Sequence, residues 1–370
     1  MGKNGNYTVI LLAFPSVIVA IVVVILMYWY LATEISIDLI VNRVVFTVGG
    51  SGLVQLINPV TVDSVTIDHF DHIELRPVKL EVADPVQYQY QEDRYPNSAW
   101  TPISVKDHMV IITGMSQMTQ YAATIEGIQP GKLDRIWIEP GSKVTLHLRG
   151  KGLTNLTMAI EEQKSSVILR PPEPFHIITD YCHLAGIRQL PYQVDSLTWR
   201  GWLLENDPYI EVTSQNTPPS LFLNLTISSE QQAKQLSFKN KVPVTAVNFS
   251  TQDSMGDRKS SLMKPATVVY PGYPTIDKKN IKGIDFLVIE ELQDFFIEKI
   301  SLDSENNGIR LQLTGKAGFA RAGSTDLRLT CFEALWYNWK LTILFGIIVW
   351  VFSTSAGFYK FFVDRKKKKL

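Results

Sequence analysis

The sequence predicts a mainly β domain, sandwich-like and divided into two subdomains, flanked by two transmembrane α-helices. Three observations carry this reading. Apolar residues in the middle of the chain alternate with a period of two, turn residues recur every few positions between the alternating runs, and a long uncharged apolar stretch lies near each end.

The stretches come first. Val9 to Leu31 are 23 residues without a charge, and Leu341 to Tyr359 are 19 more. A hydrocarbon core about 30 Å thick takes about 20 residues of helix, so the expected spans are 9–31 and 340–360. A cleavable leader fits less well, because Tyr30 stands where a cleavage site needs a small residue. Tyr28, Trp29 and Tyr30 close the first stretch, while Trp336, Tyr337 and Trp339 open the second, as rings at the headgroup level would.

Basic flanks mark the cytoplasmic side of a span. Lys3 precedes the first stretch; Lys360, Arg365 and Lys366 to Lys369 follow the second; no cation lies between Thr33 and Arg43. The expectation is an integral membrane protein with both termini cytoplasmic: a short N-terminus, 1–8, a basic tail, 361–370, and a main domain that is periplasmic, extracellular or lumenal. Lys366, Lys367, Lys368 and Lys369 would anchor to anionic membrane lipids, each contributing on the order of 1 kcal/mol. Eight of the 36 basic residues but only one of the 36 acidic ones lie outside 33–336, which leaves the middle region at about −7. An acidic domain excludes nucleic acid as a partner, since that affinity comes mostly from neutralising phosphates.

Within the middle region, Lys143 to Arg149 and Gly308 to Thr314 alternate cleanly, and Thr61 to Asp68, Ser220 to Ile227 and Phe295 to Leu302 are rich in β-branched or aromatic residues. Gly49 to Gly52, Pro130-Gly131, Pro140-Gly141, Pro171-Pro172 and Asn306-Asn307-Gly308 read as turns. Helical signals are short, the best at Ser229 to Leu236 and Glu290 to Phe295. Polar, proline-bearing stretches at Arg188 to Pro191 and Asn216 to Pro219 place a boundary near 190, giving halves of 33–190 and 191–336. Leu197 to Leu204 between them reads as an interdomain contact, and Thr251 to Gly283 as a long irregular loop.

Chemistry is sparse. An oxidising compartment would permit a disulfide between Cys182 and Cys331, and two separate buried thiols account for the sequence equally well. Asp68-His69-Phe70-Asp71-His72 is the densest group of possible metal ligands, but as a strand it would turn at most two to one face, short of the three or four that zinc takes. His176 and His183, flanking Asp180 and Cys182, form a thinner group. No metal and no cofactor is expected. There is no Gly-x-Ser-x-Gly elbow, phosphate-binding loop or His-Glu-x-x-His, and Glu290, Glu291 and Asp294 read as a solvated acidic tip.

Aromatic pairs are a further signal. Tyr88 and Tyr90 share one strand face, followed by Tyr95 and Trp100, and read as core. Tyr270 and Tyr273 stand on the long loop as a candidate binding platform. In the second span Ser353 and Gly357 have the spacing of a helix-packing face. Asn155, Asn224 and Asn248 match the glycosylation sequon on the expected outer side. Together these features point to a non-enzymatic, membrane-anchored interaction or scaffold protein, or an accessory subunit, whose β-rich domain binds another membrane or envelope protein, an envelope polymer or itself. An oligomeric pore and an envelope hydrolase acting on glycan or lipid are the alternatives.

Overall fold

A computed structural model describes residues 21–367, apart from 77, 84–99, 106–108, 115–120, 150–154, 172–173, 188–195, 204–208, 215–219, 228–236, 253–257, 274–275, 277–278, 284 and 304. Among the described residues, 23 strands join into one antiparallel sheet, and Ser250–Gln252 with Arg258–Ser260 form a separate small hairpin. The mainly β expectation holds, and the alternation read from the sequence is the reason. In Lys143–Arg149 the side chains of Val144, Leu146 and Leu148 are buried, while their neighbours face outward. Ser220–Ile227 does the same with Leu221, Leu223, Leu225 and Ile227.

The 17-residue strand Ala122–Ile138 organises the sheet. Val60–Asp68 pairs with its residues 122–133 on one side, and Val54–Gln55 with 137–138. On the other side, its first part pairs with Phe175–Asp180 and its last part with Ser165–Arg170. The strand therefore passes from one layer to another. One layer continues through Ser196–Leu203, Val78–Ala83 and Trp100–Ile103. The other continues through Tyr209–Ser214, His72–Arg76, Val110–Gly114 and Cys182–Ala185. Inner-facing residues of both, among them Ile73, Leu80, Ile125, Ile136, Ile177 and Trp199, belong to one hydrophobic core, as in a sandwich.

Three local readings need correction. Pro130-Gly131 makes no reversal: the pairing slips from Val62 opposite Gly131 to Ser64 opposite Glu126, a bulge inside the long strand. Glu290 to Phe295 is not helical but the bulged middle of the strand Leu287–Asp303. Thr251 to Gly283 is not a single irregular loop, because Arg258–Ser260, Ala266–Val269 and Lys279–Ile281 are strands within it. Leu197 to Leu203 lies in an interior strand whose Trp199 is 1% exposed. Strands on the two sides of position 190 pair with one another, Asn155–Glu161 and Val60–Asp68 both with Ser220–Ile227.

Residues 29–31 and 329–331 meet. Leu31 N donates to Leu329 O and Cys331 N to Trp29 O, at 2.9 and 2.7 Å, and Glu34–Val41 pairs with Gly308–Ala322. Arg328 holds the junction: it forms ion-paired hydrogen bonds with Asp326, donates to Gly318 O, and lies over the rings of Tyr30 and Phe319. The helix Cys331–Lys367 starts here with a capping box. Thr330 Oγ1 accepts from Glu333 N at 3.1 Å, and Glu333 Oε2 accepts from Thr330 N at 2.7 Å.

Among the described residues no helix is long and apolar enough to cross a membrane. That finding corrects the fold class, which had two transmembrane helices, and with it the integral-membrane localisation with cytoplasmic termini. Of the first expected span, the described helix keeps residues 21–28, about 12 Å at the rise of a helix; residues 1–20 lie outside the described residues. The C-terminal helix loses helical geometry at Trp339 and carries Ser353, Thr354 and Ser355 in its second half. Phe345, Ile347, Val349 and Trp350 are exposed on it. Lys366 and Lys367 end it, and Lys368 and Lys369 are outside the described residues.

Candidate functional site

Two carboxylates come together where the strands of one layer end. Asp68 is opposite Ala122, and Ala122 is opposite Asp180, so the pair flanks one alanine on a single sheet face. Two strand spacings separate their backbones, about 10 Å. Immediately beyond, His69 and Tyr181 adopt positive φ, +57° and +51°, which turns the chain toward the other layer. A left-handed conformation costs a non-glycine residue roughly 1–2 kcal/mol, so both crossovers are strained at the same place. Asp68, His69, Tyr121, Ala122, Asp180 and Tyr181 line a cavity of about 370 Å³.

The walls are aromatic and fixed from behind. The His69 ring lies 4.9 Å from that of Phe222 and 6.1 Å from that of Tyr121. Tyr121 donates its hydroxyl to Phe70 O at 2.9 Å and meets the Phe70 ring edge-on. Its ring rests against Gly114, where a Cβ would sit 2.1 Å from Tyr121 Cε2. Gly114→Ala is therefore expected to displace the Tyr121 wall and lower stability by about 1–3 kcal/mol, read from denaturant midpoints; an unchanged midpoint would show that the ring moves freely.

Burial raises the carboxyl of Asp68 above its ordinary value, with the nearby His69 opposing, and Asn224 Nδ2 donates to it at 3.3 Å. Cys182 stands next to the cavity. Burial, reinforced by the Asp180 charge, pushes its thiol up to about 12, and the thiol donates to Asp180 O and Ala122 O. A thiol protonated at neutral pH is a poor nucleophile and metal ligand.

The two histidine groups noted in the sequence meet here only in part. Asp68 and His69 join Asp180. Asp71 and His72 pair with each other at 3.2 Å, and His72 contacts Thr213 in the other layer. His176 is buried two rows away beside the Trp100 ring, and His183 is exposed on the strand Cys182–Ala185. Among the described residues no three His, Cys, Asp or Glu side chains are grouped to hold a metal.

Other sequence candidates settle elsewhere. Cys182 and Cys331 are both free thiols, in the sandwich and at the start of the C-terminal helix, so the structure does not join them. Tyr270 is no platform: it is 1% exposed and donates to Leu327 O at 2.6 Å. Tyr273 packs edge-on against Tyr337 of the helix. The loop aromatics thus seat the helix base. Ser353 is exposed and Gly357 half-exposed on one helix face, and the Ser353 hydroxyl donates back to Val349 O and Trp350 O. Tyr88, Tyr90, Tyr95 and Ser229 to Leu236 lie outside the described residues, except that Trp100, which follows the tyrosines, stacks with the Arg200 guanidinium at 4.5 Å.

His176 carries a pH signature. Burial holds its imidazole below the usual range, with Glu126 opposing and Arg200 reinforcing. Burial lowers His147 as well, helped by Arg149 and Arg43. Below a pH of about 6.5 the unfolded chain takes up protons that the folded chain refuses, so stability is expected to fall as pH drops through that window. His176→Phe should flatten the decline in urea midpoints, and an unaltered slope would remove His176 from the account.

The chain matches no protein-family model and no curated protein sequence.

Proposed function

We infer that this chain is a non-enzymatic interaction protein, a scaffold or accessory subunit that binds a partner protein in the cleft between Asp68 and Asp180. The observation that supports this reading is the pair of carboxylates on one sheet face, walled by His69, Tyr121 and Tyr181 and lacking an activated nucleophile among the described residues. A lysine or arginine side chain suits such a cleft: carboxylates pair with its charge, and ring faces attract it. The two strained crossovers are consistent with a recognition role, because local strain concentrates at functional positions.

The test is the mass of the protein isolated gently from its native source, with co-purifying chains identified. A partner in fixed ratio is expected, and Asp68→Asn with Asp180→Asn should weaken it at least about tenfold while leaving the melting temperature in place. A complex indifferent to both substitutions, or no complex, would sink the reading. Glycan hydrolysis is the second reading, favoured by the raised carboxyl of Asp68 facing Asp180 across a cavity. Inverting glycosidases hold their carboxyl groups about 6.5–9.5 Å apart, close to the spacing of these strands. Release of reducing ends from oligosaccharides, lost in Asp68→Asn, would favour hydrolysis over binding.

A further inference from the structure

A second cavity, of about 350 Å³, opens on the outer face of the other layer. Trp137, Ser166 and Thr213 stand in register across its three strands. Leu53, 63% exposed, forms a lip. Glu139, Lys164 and Glu211 line the same cavity. Glu211 accepts a hydrogen bond from Ser166 at 2.8 Å through one oxygen, and its other oxygen is uncommitted. The side chains of Trp137, Glu139 and Lys164 have no hydrogen-bond or ion-pair partner among the described residues.

The chemistry narrows the ligand. Two carboxylates and one ammonium leave the rim slightly negative, which disfavours phosphates and other anions. A purely apolar ligand would use the Trp137 face and strand every polar group around it. A molecule with an apolar face and a rim of hydroxyls meets both demands, and small-ligand sites commonly combine an apolar wall with a few placed polar groups. We propose that this cavity is a subsite for one neutral sugar unit, stacked on Trp137 and hydrogen-bonded by Glu139, Lys164 and Glu211. The site is separate from the Asp68–Asp180 cleft and does not depend on the function proposed for it.

The test is saturation-transfer NMR on the full chain with three probes: methyl β-glucopyranoside, maltotriose and the trimer of N-acetylglucosamine. Transfer to the ring C–H protons of at least one probe is expected. Trp137→Ala should weaken binding at least tenfold, while Trp137→Phe should retain it within about threefold. Asp68→Asn should leave it unchanged, and thermal melting verifies that each variant is folded. No transfer to any probe, or transfer that survives Trp137→Ala at full strength, overturns the proposal.

Discussion

Trp199→Ala is expected to cost roughly 3–5 kcal/mol, the loss typical of a large aromatic side chain removed from a packed interior. Trp199 is 1% exposed, stands opposite Ile177 and Val82 in the centre of its layer, and is the largest fully buried side chain among the described residues. Its indole N–H is buried without a hydrogen-bond partner. Phenylalanine leaves a smaller cavity and removes that unsatisfied donor, whose burial itself costs about 1–3 kcal/mol. Trp199→Phe should therefore lose less than half of what Trp199→Ala loses. Urea midpoints at constant m-value measure both. Equal losses would mean that packing alone governs the site.

Gly315→Ala should destabilise by about 3 kcal/mol or more, because the obstacle is backbone and no rotamer relieves it. A Cβ there would lie 2.5 Å from Phe295 Cα and 2.7 Å from Asp294 O. Those atoms belong to the bulge in Leu287–Asp303, where Glu291 and Asp294 adopt positive φ. Gly318 faces the same bulge through a side chain: its Cβ would meet Glu291 Oε2 at 2.1 Å. Gly318→Ala should thus be milder, and Glu291→Ala should partly rescue it while doing nothing for Gly315→Ala. Rescue of both would contradict the backbone assignment.

The strands were legible wherever one face is buried and the other wet, as in Lys143–Arg149. They were misread where the ladder slips. Pro130-Gly131 has the composition of a turn, yet pairing with Val60–Asp68 stops at Glu126 and resumes at Gly131 in the same direction, so the chain continues without reversing. Glu290 to Phe295 has the apolar spacing of a helix because the bulge itself breaks the period of two. The capping box at Thr330 and Glu333 is readable in its spacing, but it adjoins an apolar run that reads as a membrane span. Of the candidate site, the residue types at 68–72 and 180–183 stood out, but their convergence depends on register across Ala122, which no local pattern encodes. The left-handed residues His69 and Tyr181 are neither glycine nor asparagine, so nothing local announced the crossovers.

The meeting of residues 29–31 with 329–331 sets how the domain would bear mechanical load. Tension applied through the two flanking segments pulls Glu34–Val41 and Gly308–Ala322 apart from the same end. Hydrogen bonds across an antiparallel pair lie perpendicular to the strands, so under this geometry they open one after another, as in a zipper, rather than resisting together in shear. The strands from Val54 to Ile227 would carry no force until that seam has parted. A pull between residues 30 and 330 should meet little resistance, whereas a pull along the long strand Ala122–Ile138 would engage many rungs at once.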